Sequence, residues 1–216
     1  MNQRNYNKEL EKLMTDETLR GATLFLHSCC APCSSAVLER LRAFFRITVF
    51  YYNPNIAPES EYLFRKDEQK RLIEAMNNNA GTEVVATTDI ATDNLYHIEM
   101  VDADYEPALF YEACKGLEKE PEGGARCKEC FELRLSKTVA EALKHGADFV
   151  TTTLTISPLK NAQLLNEIGE ALCEGTDVKW LPSDFKKKEG YKRSIELSEE
   201  FGLYRQNYCG CAFSKI

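Results

Sequence analysis

A six-residue apolar run, Ala22-Thr-Leu-Phe-Leu-His27, leads into three thiols within five positions, Cys29-Cys30-Ala31-Pro32-Cys33, and an amphipathic stretch follows at once. The run is short, continuous and bounded by Gly21 and the cysteine turn, which predicts a buried strand. Residues 34 to 45 place Val37, Leu38, Leu41, Phe44 and Phe45 on one helical face. The thiols therefore sit in a strand-to-helix turn. There the unpaired N–H groups and partial positive charge of a helix start favour thiolate, the form that binds metal or attacks. Pro32 suits a first helical turn, where its missing N–H costs nothing. A purely structural role for three clustered thiols is the weaker reading.

The same alternation continues along the chain. Strands are expected at Ile47 to Tyr52, Thr82 to Thr87, Asp148 to Thr152 and Val178 to Leu181. A polar helix is expected near residues 6 to 14. Glu59 to Asn78 reads as a long helix with Tyr62, Leu63, Leu72, Ile73 and Met76 inward. Lys128 to His145 reads as another, with Phe131, Leu135, Val139 and Leu143 on one stripe. Two more helices follow, Asn161 to Cys173 and about Tyr191 to Phe201. Residues 90 to 126 read as an irregular insert ending in Pro121-Glu-Gly-Gly124. This order predicts an α/β fold, a parallel-sheet Rossmann-like three-layer sandwich in one domain over 1–216. In such sheets ligands bind beyond the carboxyl ends of the strands, which is where Cys29 to Cys33 falls.

The other cysteines sharpen the chemistry. Nine in 216 residues is well below the ~8–10% of a disulfide-stapled scaffold. Cys127-Lys-Glu-Cys130 has the spacing that lets two sulfurs reach one metal, although thioredoxin-like pairs share it. Together with Cys29 and Cys30 it offers four ligands to zinc or to an iron–sulfur cluster. The adjacent pair is unusual for a zinc knuckle and favours iron–sulfur. In Cys209-Gly210-Cys211 the glycine permits a tight bend. That motif reads as a strained, easily reduced disulfide or as two further ligands. Cys114 and Cys173 lie alone in helical patterns and read as small core residues.

Elsewhere the signals are softer. Thr151 to Asn161 follows the fourth strand; Asn161 is a natural helix cap, and Lys160 with the hydroxyls could meet an anion. Lys186-Lys187-Lys188 with Tyr191, Lys192 and Arg193 is the one basic cluster interleaved with an aromatic, a phosphate-binding candidate or a solvated face. Asp102, Asp104 and Tyr105 are candidate acids, and His27 reads as a satisfied core group. No Gly-x-Gly-x-x-Gly, Walker A loop or Ser/His/Asp arrangement is visible. The start Met1-Asn2-Gln3-Arg4 lacks a signal peptide's apolar core, and no apolar run approaches the ~20 residues of a membrane span. A reducing, cytoplasmic setting is expected. The net charge of −7 gives no global pull toward nucleic acid.

In order along the chain, His27-Ser28-Cys29-Cys30-Ala31-Pro32-Cys33-Ser34, Cys127-x-x-Cys130-Phe131, Ser157-Pro158-x-Lys160-Asn161, Phe185-Lys-Lys-x-x-Gly190-Tyr191 and Tyr204-Arg-x-x-Tyr208-Cys209-Gly-Cys211 resemble the cobalamin-independent epoxyqueuosine reductases, the QueH family. The resemblance spans about residues 20 to 212. It implies a relative of the adenine-nucleotide alpha-hydrolase (PP-loop) fold in which the cysteine turn replaces the phosphate loop, so that ATP use is not expected. It further implies deoxygenation of an epoxide on the modified wobble base of tRNA to an alkene, giving queuosine. By that analogy Cys29, Cys30, Cys127 and Cys130 hold a 4Fe-4S cluster, and Cys209 and Cys211 form a redox-active disulfide. A second, mononuclear iron is also implied, with Cys33 its candidate ligand by position. Lys160, Asn161 and Tyr191 are the candidate substrate contacts. The basic cluster is the candidate grip on the anticodon stem, and an unidentified donor supplies electrons. Two other readings stay open at this point: a cluster-dependent tRNA-thiolating enzyme of the same fold, and a zinc-stabilised RNA-binding module.

Overall fold

The computed structural model describes residues 4–78 and 95–214. Five strands form one all-parallel sheet: β1 (Thr23–His27), β2 (Arg46–Tyr51), β3 (Glu99–Asp102), β4 (Phe149–Thr152) and β5 (Lys179–Trp180), in spatial order β3-β2-β1-β4-β5. The helices are α1 (Tyr6–Leu13), α2 (Ala31–Leu41), α3 (Glu59–Asn78), α4 (Pro107–Ala113), α5 (Ala125–Lys144), α6 (Ala162–Cys173) and α7 (Gly190–Glu200).

β1 is central, pairing with β2 on one side and β4 on the other, so both of its faces are covered and every residue after Thr23 is buried. Its alternation feeds two cores. Leu24 and Leu26 pack with Val37, Leu38 and Leu41 of α2, Leu72 of α3 and Leu197 of α7. Phe25 faces the other way, toward Leu135 of α5, Leu165 of α6 and Trp180 of β5. Helices thus cover both faces of the sheet, the expected three layers. His27 closes β1 as a neutral group: Nδ1 accepts from the Thr152 hydroxyl at 2.8 Å and Nε2 donates to the Tyr52 carbonyl at 3.1 Å. Burial lowers its pKa to about 3. It is the satisfied core histidine that the sequence suggested.

Some expectations need correction. The expected strand Thr82 to Thr87 lies outside the described residues. The insert expected to be irregular holds β3, which pairs in parallel with β2, and helix α4. β3 is an edge strand with both ends exposed, so its apolar pattern is faint. Leu63 and Leu143 are 44% and 40% exposed rather than inward. On α3 the buried stripe is Tyr62, Arg65, Gln69, Leu72, Ile73 and Met76, two of them polar. No described helix is long and apolar enough to cross a membrane.

The chain starts at the sheet centre, builds outward through β2 and β3, then returns to β4 and β5. Strand order therefore reverses between β1 and β4, and the crevice beyond their carboxyl ends is the natural ligand position.

Candidate metal and redox site

The cysteine turn lies at that reversal. The Cys29 backbone N–H donates to Thr153 Oγ1, just past β4, at 3.3 Å, and Cys29 Sγ lies 3.6 Å from the same hydroxyl. The turn is fixed from below. Gln69 Oε1 accepts from the hydroxyls of Ser28 at 2.7 Å and Ser34 at 2.8 Å, and Asn53 Nδ2 donates to the Ser28 carbonyl at 2.9 Å. Helix α2 begins at Ala31 with Pro32 in its first turn.

This scaffold brings the sulfurs of Cys29, Cys30 and Cys33 within 4.8 Å of one another, a group able to hold a metal ion. The three do not share protons equally. Thiols donated from Cys30 and Cys33, aided by Arg134 and Lys160, overcome burial and hold Cys29 well below the usual thiol range. Cys30, donating to that sulfur, is pushed up to about 12, and Cys33 is raised for the same reason. One thiolate with two thiol donors is what a buried trio must adopt, because several bare charges cannot share a dry site.

Cys127 and Cys130 come from the first turn and a half of α5 and stand outside that close trio. Cys127 Sγ accepts from the Gly123 N–H at 3.2 Å. Cys130 is buried with Phe110, Cys114 and Cys211, and burial pushes its thiol up to about 12. Cys114, expected in the core, is fully buried, but in this small cluster against the site. Cys173 lies in the core proper.

A cleft of about 330 Å³ opens above the trio, lined among others by Cys29, Cys33, Asn55, Lys160, Tyr191 and Cys209. A second, smaller hollow holds Cys127, Cys130, Asn161, Cys209 and Cys211. Glu122, Arg134, Leu159, Lys160 and Cys209 line both, so the two hollows meet at those side chains. All nine cysteines are free thiols. Cys209 is half-buried and Cys211 buried. Between them Gly210 has φ +96°, and a Cβ there would stand 2.8 Å from Arg65 Nη1 and 3.1 Å from Ile56 Cγ1. Glycine is required twice over, by backbone and by space. The loop is held by the Ala57 N–H on the Gly210 carbonyl at 2.9 Å and by Arg65 Nη1 on the Cys209 carbonyl at 3.2 Å.

Of the expected substrate contacts, Lys160 lines both hollows. Burial opposes its charge, but the sulfurs of Cys209, Cys29 and Cys33 outweigh burial and raise its pKa. Tyr191 is 39% exposed at the mouth of the cleft. Asn161 caps α6, its side chain accepting from the Leu164 N–H at 3.2 Å. Asp104 is exposed, and neither it nor Tyr105, whose hydroxyl donates to the Ile56 carbonyl at 2.6 Å, lines either hollow. The basic cluster is largely paired: Lys186 with Asp184, Lys188 with Glu11, Lys192 with Glu189, and Arg193 with Glu39, Glu196 and Glu200. Such surface pairs contribute about 0–1 kcal/mol each and exchange readily.

Three cleft residues were missed by motif reading: Asn55, Arg65 and Arg134. Asn55 is 2% exposed, and its Oδ1 has no hydrogen-bond partner among the described residues. Arg65 and Arg134 occupy inward positions of the buried stripes of α3 and α5, among residues that are mostly apolar. A long charged residue at a core position of an amphipathic helix was the available signal.

Comparison with known proteins points one way. The family model described as "Epoxyqueuosine reductase QueH" matches residues 24–216. The chain is 43% identical to the epoxyqueuosine reductase QueH of Staphylococcus epidermidis, over 98% of this chain and 85% of that protein. It is 40% identical to that of Streptococcus pyogenes (97% and 78%) and 33% identical to that of Thermotoga maritima (90% and 91%).

Proposed function

The chain belongs to the epoxyqueuosine reductase QueH family, and from that membership we propose that it is an oxidoreductase converting epoxyqueuosine at the tRNA wobble position to queuosine. The single observation that carries the reading beyond membership is the close sulfur trio of Cys29, Cys30 and Cys33, two of which, Cys29 and Cys33, share one cleft with Cys209. The reaction breaks both C–O bonds of the epoxide, forms a C=C bond and releases the oxygen as water. It consumes two electrons and two protons. The Cys209 and Cys211 thiols supply both as an S–S bond forms between them, and a cellular electron donor later restores the dithiol.

The donor set fits an iron–sulfur group. It is all sulfur, soft, clustered and free of the carboxylates and imidazoles that harder ions prefer. Cys29, Cys30, Cys127 and Cys130 are the proposed holders of a 4Fe-4S cluster, and Cys33 of a second iron. When bound, these groups supply single-electron transfer and Lewis acidity. The chain's own residues do the rest. Lys160, held protonated by the surrounding sulfurs, lines the cleft and is placed to meet charge developing on the leaving oxygen. Tyr191 and Tyr208 at the mouth offer rings on which an unstacked base can lie. The Asn55 carboxamide is left for a ligand to use. Replacing it with alanine is expected to raise KM about tenfold, the scale of one hydrogen bond to a buried group, with kcat and iron content little changed; steady-state assays on modified tRNA check this. The enzyme acts where its tRNA is, in the cytoplasm, with the Lys186 to Arg193 surface exchanging carboxylates for phosphates.

Anaerobically reconstituted protein is expected to carry about four irons and four sulfides in the proposed cluster and, with a strong reductant, to turn epoxyqueuosine tRNA into queuosine tRNA, read by nucleoside mass analysis. Stoichiometric zinc without sulfide sinks the cluster assignment, and no conversion by the loaded protein sinks the function.

A further inference from the structure

Arg134 is 1% exposed, yet no carboxylate pairs with it among the described residues. Its Nη2 donates to Asn53 Oδ1, its Nη1 lies 4.0 Å from Cys130 Sγ, and its Nε has no partner among the described residues. A buried cation is costly without an opposite charge beside it. Of the other cations lining the two hollows, Arg65 is paired with Glu61 at 2.7 Å, Lys160 and Arg205 reach solvent, and Arg126, also buried without a carboxylate, donates Nη1 to the Glu118 and Glu120 carbonyls. What faces Arg134 instead is sulfur. It lines both hollows, and the thiols of Cys130, Cys29 and Cys209 keep its guanidinium charged against burial.

We propose that Arg134 is the built-in counter-ion of the cysteine-held cluster, placed where the two cysteine pairs meet to favour the cluster's reduced, more negative state. The assignment rests on the cluster reading above and adds the residue that tunes it. Four thiolates around a 4Fe-4S core leave a net negative group, and reduction adds one more negative charge. A fixed positive charge a few ångströms away in a water-poor site favours the added electron and raises the reduction potential. Because Arg134 is buried, bulk salt screens this effect little. Asn53 fixes the guanidinium on one side while also holding the Ser28 carbonyl, so the counter-ion and the cysteine turn are set by one carboxamide. Arg134 acts through the cluster and is a positioning residue, not a catalytic one.

The test is a spectroelectrochemical titration of loaded wild type, R134K and R134Q, with iron and sulfide counted per chain. The expected result is a midpoint shifted negative in R134Q, a smaller shift in R134K, and shifts that persist at high salt. Unchanged potential in R134Q at full iron and sulfide overturns the assignment, as does an R134K as displaced as R134Q. Should R134Q fail to load, an R134K that loads supports the role of charge. An R134K equally depleted overturns it, leaving Arg134 as a brace for Asn53. A wild type without iron and sulfide fails the cluster reading itself, and the counter-ion with it.

Discussion

Cys211→Ser, or Cys209→Ser, is expected to lower turnover of epoxyqueuosine tRNA by about 10³-fold or more, the scale of losing a group that takes part in the chemical step, while iron and sulfide per chain stay at the wild-type level. Serine keeps the size and the hydrogen-bonding capacity of cysteine but cannot form the S–S bond that releases two electrons. The loop itself survives the change. It is held through backbone groups, the Gly210 carbonyl by the Ala57 N–H and the Cys209 carbonyl by Arg65, and neither depends on the sulfurs. The two positions differ in how the loss is felt. Cys209 lines both hollows and is half-buried, so serine there is well tolerated. Cys211 is 7% exposed among Phe110, Cys114 and Cys130, so a modest fall in stability accompanies the loss of rate. Iron analysis and single-turnover assays on the same preparations decide the matter. Depletion of iron in either variant makes that cysteine a ligand, and retained turnover removes it from the electron path.

A large structural effect is expected at Gly169, in the second half of α6. A Cβ there falls well inside 3.0 Å of three atoms of the Trp180 ring. The ring cannot swing away, because Trp180 Nε1 donates to Asn166 Oδ1 at 2.9 Å and that oxygen also accepts the Ser183 N–H at 2.9 Å. Glycine costs a helix interior about 1 kcal/mol relative to alanine, so Gly169→Ala should help by that amount if space were free. Overpacking a filled core costs about 1–3 kcal/mol, and breaking the Trp180 and Ser183 hydrogen bonds adds about 1 kcal/mol each. The clash wins. Gly169→Ala is expected to lose about 2–4 kcal/mol, and Gly169→Val more, since it adds β-branching; urea midpoints on metal-free protein measure both. An alanine variant as stable as wild type shows that the ring can retreat.

Both predictions depend on positions whose role the sequence displays unevenly. Long helical segments are readable, and Glu59–Asn78 is placed to the residue, because twenty residues rich in charged helix formers with no Gly or Pro have few rivals. β3 was not, since Glu99-Met-Val-Asp is short, half-exposed and paired on one side only. Cysteine spacing marked the turn and the two later motifs but could not tell which sulfurs approach closest. Cys33 joins Cys29 and Cys30 because the first turn of α2 brings it round, whereas Cys127 and Cys130 ride on another helix. The basic cluster is paired both by near neighbours, such as Asp184, Glu189 and Glu196, and by distant ones: Glu11 meets Lys188 and Glu39 meets Arg193 only where α1, α2 and α7 pack. Arg134 and Gln69 hid in plain view, as polar letters on helical stripes counted by their apolar members.

The parts of the site are anchored unequally. The turn at Cys29 sits at the end of β1, between β2 and β4, and rests on Gln69. Cys127 and Cys130 are fixed by α5. The Cys209-Gly210-Cys211 loop is joined to residues 56 and 57 by a single bridge with one backbone hydrogen bond, and to Arg65 through the Cys209 carbonyl. Segments with few backbone hydrogen bonds open at the lowest free energy. The thiol pair therefore rides on the most easily loosened part of the site, and exposing it to solvent need not disturb the sheet.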